Sequence, residues 1–98
     1  MNARPSRVRV RLPAALRELA GGEALAAGEG STVGEVLRDL GRAHPGLWER
    51  IVDGQGRQRR YVSLFLNDAD LRGLGGLDAP VRDGDLILVV PALSGGSP

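Results

Sequence analysis

The sequence predicts an α+β domain in which one main helix packs across a mixed sheet of four to five short strands. Three observations predict it. Val8, Val10 and Leu12 alternate with Arg7, Arg9 and Arg11, the two-residue period of a half-buried strand. Thr32-Val33-Gly34-Glu35 has capping-box spacing and opens a segment whose apolar residues recur on one helical face. Leu86 to Val90 is an unbroken apolar run, the pattern of a central strand buried on both faces. A chain of 98 residues has room for one domain with a single small core. We place that domain at residues 1–93 and read residues 94–98 as a flexible tail.

The elements follow in order. Pro13 closes the first strand, Arg7 to Leu12, and Leu16 and Leu19 anchor a loop or a single helical turn before Gly21-Gly22. A weaker strand fits Glu23 to Ala27, with Gly28-Glu29-Gly30 as the turn that ends it. In the helix, Thr32 supplies a hydroxyl acceptor for the unpaired N–H groups of the first turn. Val33, Val36, Leu37 and Leu40 form its core-facing stripe, with Arg38 and Arg42 outside it. His44-Pro45-Gly46 stops the helix, because the residue before a proline is pushed out of the α region. Leu47, Trp48 and Ile51 suggest a short helical turn that drops a large side chain onto the core, and Asp53 to Arg60 reads as an exposed polar loop. Tyr61 to Leu66 is a second strong strand, with Val62, Leu64 and Leu66 on one face and Tyr61, Ser63 and Phe65 on the other. Asn67-Asp68 turns the chain into a short extended piece, Ala69 to Arg72, before the glycine-rich Gly73 to Gly76 and the isolated anchors Leu77 and Val81. Asp83-Gly84-Asp85 makes a tight turn into the last strand. That strand is the most apolar, so it belongs in the middle of the sheet beside the first. With the helix lying between them in sequence, the pair is parallel. This is the β-grasp, or ubiquitin-like, arrangement.

Composition excludes much chemistry. All thirteen basic residues are arginine, there is no cysteine, and there is one histidine. A disulfide framework, a thiolate zinc site, a thiol nucleophile, a lysine Schiff base and a P-loop lysine are therefore excluded. One imidazole is fewer than catalytic zinc sites use, and Asp68, Asp70 and Asp78 lack the spacing of a calcium loop, so no metal site is expected. The formal net charge of +1 is too small for electrostatics to drive nucleic-acid binding, and Trp48, Tyr61 and Phe65 make no stacking platform. The longest apolar run, Leu86 to Leu93, has eight residues with Pro91 among them, against the roughly 20 that span a bilayer. No apolar segment follows Arg4, Arg7 and Arg9 as a secretory signal requires. The expectation is a cytoplasmic protein with no membrane or nucleic-acid partner and no conventional active site of its own.

Four stretches together resemble a known family. They are Thr32-Val33-Gly34-Glu35-Val36-Leu37, His44-Pro45-Gly46-Leu47, Val62-Ser63-Leu64-Phe65-Leu66-Asn67-Asp68, and the closing run from Asp83-Gly84-Asp85 through Pro91-Ala92-Leu93 to Ser94-Gly95-Gly96. The family is that of the ubiquitin-like sulfur-carrier proteins (MoaD/ThiS-like), which includes the small subunit of molybdopterin synthase, the thiamin sulfur carrier and the CysO-type carrier of cysteine biosynthesis. The likeness runs from Val8 to Gly96. The Asp53 to Arg60 loop and the run Asn67-Asp68-Ala69-Asp70-Leu71-Arg72, with Gly75-Gly76-Leu77 after it, look most like the CysO type. A bare Gly-Gly carries little, since the chain has others at 21–22 and 75–76. The diglycine at 95–96 gains its weight from its place a few residues after a proline and a last strand.

The resemblance implies that function lies in the tail. A carboxylate at neutral pH resists nucleophiles, so the terminal glycine of such a carrier is adenylated with ATP by a ThiF/MoeB-like partner enzyme, and sulfur transfer then leaves a thiocarboxylate. On this reading Gly96 is the residue adenylated and thiocarboxylated. Gly95 and Gly96, having no Cβ, let the tail thread a narrow channel, and the chain binds no cofactor itself. Ser97-Pro98 departs from the finished family form, because an internal Gly96 carbonyl is an amide with no free oxygen to adenylate. The resemblance implies a precursor cut between Gly96 and Ser97 by a JAMM-type metalloprotease; the alternative is a tail that is never processed. The implied sulfur acceptor is a pyridoxal-phosphate (PLP)-dependent cysteine synthase or an enzyme making another sulfur-containing metabolite. A structural subunit like that of molybdopterin synthase and a ubiquitin-like protein modifier are the other two readings.

In the body and at the tail's root, Tyr61, Phe65, Arg59 and Leu93 are candidates for a partner surface. An apolar patch on the outer strand face marks an interface unless the preceding loop covers it. Arg57, Arg59 and Arg60 form a basic run that is either simply solvated or meets an acidic partner. His44 stands beside Pro45 at a helix end, where an imidazole suits the negative end of the dipole. It has no paired nucleophile and reads as structural.

Overall fold

Alternation in β1 (Ser6–Arg11) puts Val8 and Val10 wholly inside and Arg7, Arg9 and Arg11 outside. The computed structural model describes residues 5–91. After β1 come the short helix α1 (Ala14–Arg17) with a 3-10 turn over Glu18–Ala20, then β2 (Leu25–Gly30), α2 (Val33–Ala43) and α3 (Pro45–Ile51). β3 (Val62–Leu66) and β4 (Ala69–Asp70) follow, then two 3-10 turns over Leu71–Leu74 and Gly76–Asp78, and finally β5 (Leu86–Pro91). The described strands form one sheet in the order β2-β1-β5-β3-β4, with β1 and β5 parallel and the other neighbours antiparallel. The most apolar strand thus lies centrally beside the first, and the expected β-grasp arrangement is the one observed.

The ends of α2 fix where it starts and stops. Thr32 Oγ1 accepts the N–H of Glu35 at 3.2 Å, while the Glu35 carboxylate accepts from the N–H of Ser31 at 2.7 Å. The capping box therefore closes one residue earlier than its usual form. α2 ends at Ala43, but Pro45 does not end helical structure. It takes the first turn of α3, where a missing N–H costs nothing. Val33, Val36, Leu37 and Leu40 join Val8, Val10, Val62, Leu64, Ile87 and Val89 in one core. Each such side chain contributes about 1.5–3 kcal/mol on burial. Among the described residues no polar or charged side chain is buried.

Tertiary contacts change several local expectations. The second strand runs over Leu25–Gly30 rather than Glu23 to Ala27, and Gly28 and Gly30 lie inside it instead of forming its terminal turn. Both face α2: a Cβ on Gly28 would come within 2.7 Å of the Val36 carbonyl oxygen, and one on Gly30 within 2.6 Å of Glu35 Cβ. They are there because the helix backbone passes so close. β5 is buried on one face only, with Ile87 and Val89 inside, Leu86 and Leu88 half-buried, and Val90 exposed. Trp48 packs against the edge of the core rather than inside it. It lies half-buried between α2 and α3, where a Cβ on Gly41 would stand 2.8 Å from its Cβ and the Arg38 guanidinium lies 5.1 Å from its ring centroid. Leu47 and Ile51 fill the core beside it from α3. The extended piece Ala69 to Arg72 shrinks to the two residues of β4, because Leu71 is fully buried and is carried inward by a 3-10 turn that the Asp70 carboxylate caps. In the loop before β3, Gln58 and Arg59 are half-buried and Val52 bridges to Gln58, so only part of that loop is exposed. β3 itself begins at Val62 rather than Tyr61.

Candidate docking surface at the root of the tail

β5 is the last described element and ends at Pro91. Pairing with β1 ends at Leu88, so the proline sits beyond the stretch where that neighbour needs its N–H. Leu93, Gly95, Gly96 and Ser97 lie outside the described residues. The surface around the root of the tail is on view, and it has two parts.

One part is the face of the sheet opposite α2. Register sets Leu86 beside Arg9, Leu88 between Arg11 and Phe65, and Val90 beside Ser63. An apolar stripe therefore runs along β5 straight towards the tail, with half-buried Phe65 beside it and the arginine row of β1 along its flank. Arg7 pairs with Glu29 of β2 at 3.5 Å, an exposed contact that contributes little. The sequence pointed to Phe65 and missed Leu86, Leu88 and Val90. Their run shows no alternation of its own, since both faces are apolar. The usable signal was in β1: its arginines need water, so a strand paired with it shares that open face.

The second part is a groove of about 510 Å³ lined by Asp53, Gln55, Arg57, Arg59, Arg60 and Tyr61. Tyr61 is 57% exposed, so the loop before it does not cover it. Asp53 shapes the loop, its Oδ1 accepting the N–H groups of Gln55 at 2.8 Å and Arg57 at 3.0 Å. The bond from Arg57, then that from Gln55, holds its carboxyl below the ordinary value of 3.8, and the nearby Arg57 and Arg59 charges act the same way. Arg59 Nε donates to the Glu49 carbonyl at 2.7 Å, which ties the loop to α3. Arg59 and Tyr61 thus share this groove, whereas Phe65 belongs to the open face.

Two joints hold these surfaces in place. Asn67, with φ of 57°, donates its N–H to the Leu86 carbonyl at 2.8 Å and accepts the Leu86 N–H on its side-chain oxygen at 3.1 Å, fastening the start of β5 to the end of β3. His44 links α2 to α3 through its backbone, donating to the Leu40 carbonyl and accepting from the N–H of Leu47. Among the described residues no group of three His, Asp or Glu side chains is placed to hold a metal, and no helix is long and apolar enough to cross a membrane. The described body offers a shaped surface that extends to Pro91, the last described residue.

Residues 10–96 match the model of the ThiS family. The chain is 37% identical over 91 residues to a protein of Mycobacterium tuberculosis named sulfur carrier protein CysO, covering 91% of this chain and 98% of that one. In the crystal structure of the Amycolatopsis orientalis BexX/CysO complex, one chain superposes with a TM-score of 0.85 at 38% identity, covering 91% of this chain and 99% of that one. The solution structure of small archaeal modifier protein 1 from Methanosarcina acetivorans gives a TM-score of 0.81 at 30% identity, covering 96% and 100%.

Proposed function

Because the chain belongs to the ThiS family, we propose that it is a sulfur carrier whose reacting atom is the terminal carboxyl carbon of Gly96, freed by removal of Ser97-Pro98. The observation that carries this reading is the 37% identity, over nearly the whole of both chains, with a protein named as a sulfur carrier. In this proposal residues 1–93 form the folded carrier and residues 94–98 its working tail. A JAMM-type metalloprotease hydrolyses the Gly96–Ser97 amide. A ThiF/MoeB-like enzyme then binds ATP, the Gly96 carboxylate attacks the α-phosphorus, and pyrophosphate leaves. A sulfide-level nucleophile displaces AMP from the acyl carbon and leaves a thiocarboxylate. The sulfur passes to an acceptor enzyme, of which a PLP-dependent cysteine synthase is the type proposed. ATP belongs to the partner, this chain holds no cofactor, and the work is done in the cytoplasm.

The body contributes recognition. Leu86, Leu88, Val90 and Phe65 seat a partner against the open face, while Tyr61 and Arg59 stand at the root of the tail and Leu93 on the path to Gly95 and Gly96. That a CysO-type relative is found in complex with another protein, BexX, supports a carrier of this kind meeting a partner. Two intact-mass measurements test the scheme. Incubation with a JAMM-type protease should remove the mass of Ser97-Pro98. A chain ending at Gly96, given ATP, the adenylating enzyme and sulfide, should gain the difference between one sulfur and one oxygen. An unchanged mass in the second measurement sinks the carrier reading. The 30% identity with an archaeal modifier favours one second reading, conjugation to other proteins' lysines. Isopeptide adducts formed without any thiocarboxylate would select it.

A further inference from the structure

Arginines gather near Pro91, the last described residue. Arg57, Arg59 and Arg60 come from the loop before β3, and Arg72 joins them from the turn after β4. β4 pairs only with Phe65 and Leu66, so it does not reach the carbonyl of Val62. That oxygen accepts instead from Gln58 Nε2 at 2.6 Å and from the Arg72 guanidinium at 3.4 Å, and the same guanidinium lies 3.4 Å from the Arg60 carbonyl. Val62 is the residue paired with Pro91. Arg60 and Arg72 therefore flank the root of the tail, with Arg57 and Arg59 beyond them.

None of these guanidiniums is in an ion pair found among the described residues. The ion pairs found among the described residues are Arg7 with Glu29 and Arg42 with Asp39. Asp53 and Asp70 are occupied by backbone N–H groups, of Gln55 and Arg57 for the first and of Arg72 for the second, while Glu49 lines a groove with Arg59 and Asp78 one with Arg57 without forming an ion pair there. Arg57, Arg59, Arg60 and Arg72 therefore stand near Pro91 without an ion-pair partner among the described residues.

The tail is short. Five residues lead from Pro91 to Gly96, a reach of at most about 18 Å when fully extended. For Gly96 to reach a nucleotide inside a partner, the root of the tail has to press against the mouth of the channel, and the arginines with it. Removing an unpaired guanidinium from water is costly unless acceptors meet it. The geometry points to a partner of one chemistry: a protein whose tail-receiving channel is rimmed by carboxylates that pair with Arg57, Arg60 and Arg72. This rests on the carrier reading and adds the charge of the partner surface to it.

The test is adenylation of the chain ending at Gly96, followed by ATP–pyrophosphate exchange with the adenylating enzyme of the same organism at several ionic strengths. Wild type should show a KM for the carrier that rises with salt, since exposed charge pairs are screened. The double variant Arg57→Glu/Arg60→Glu should raise KM about tenfold or more at low salt, leave kcat unchanged and flatten the salt dependence. Arg57→Gln/Arg60→Gln should fall between, and Arg82→Glu, at the opposite end of β5, should behave as wild type. Unfolding midpoints equal to wild type would show that the variants are folded. A wild-type KM retained by the Glu double variant would overturn the acidic rim while leaving the carrier intact. No exchange with wild type would overturn the carrier reading itself, and the rim with it.

Discussion

The two faces of the sheet are built from the same strands and by the same alternation, yet they do opposite work. On the face covered by α2, Val8, Val10, Leu64, Ile87 and Val89 are essentially free of solvent, and Gly28 and Gly30 have given up side chains so that the helix can come close. On the other face, Leu86 and Leu88 keep partial exposure and Val90 keeps 37%, next to a row of arginines that nothing in the core requires. Stability accounts for the first pattern. It does not account for the second, because apolar side chains left in water contribute little to the fold and raise the risk of association. Apolar residues kept uncovered beside charge are suited to meeting another protein.

That contrast can be broken on either side. The largest effect belongs to the covered face: Leu64→Ala should lower stability by about 2–5 kcal/mol through lost burial and a cavity, read as a shift in urea midpoint. A shift under half the lower bound would mean that the core is looser than its burial suggests. Next comes the joint between the faces. Asn67→Ala removes a side-chain acceptor for Leu86 and leaves a less suitable residue at positive φ, and should cost about 1–2 kcal/mol. Asn67→Gly, which relieves the backbone but not the lost hydrogen bond, should recover part of it. On the open face, Val90→Asp should change stability by about 1 kcal/mol at most while raising the KM of adenylation about tenfold. Equal KM values for variant and wild type would remove this face from the docking surface.

The smallest effect concerns acid. The folded Asp53 carboxyl is held below 3.8 by the N–H groups of Arg57 and Gln55, so the charged form is favoured in the folded loop. Its contribution is present above the unfolded value and is lost as pH falls through the folded one. The titration midpoint of Asp53 followed by NMR should therefore lie below 3.8, and protection of the Arg57 and Gln55 amides should be flat at neutral pH and fall only at more acid values. Asp53→Asn should abolish that step.

Much of this was legible in one dimension because the decisive signals are local. Alternation in β1, the capping residues Thr32 and Glu35, and the turns at Asn67 and Gly84 are all read from neighbours a few positions apart. The docking surface was only half legible. Phe65 stood out as an aromatic on the polar side of a strand, but Leu88 and Val90 did not, because a run of five apolar residues has no polar partner to reveal its open side. Arg72 was invisible as a partner of Arg60, twelve positions away, until a short β4 left the Val62 carbonyl for it to approach.

The sequence by itself determined the order of the strands and main helix, the buried faces of β1 and α2, the β-grasp arrangement and the absence of thiol, lysine-amine and paired-imidazole chemistry, since these depend on period, caps and composition. Only the tertiary structure decided that the second strand runs on through its glycines, that Trp48 stays at the helix interface, and that β5 is covered on one side. Each of those depends on which backbone passes within a few ångströms of which. A one-dimensional pattern can state the need for a partner surface, but it takes the packed structure to say where one is supplied and where it is left open.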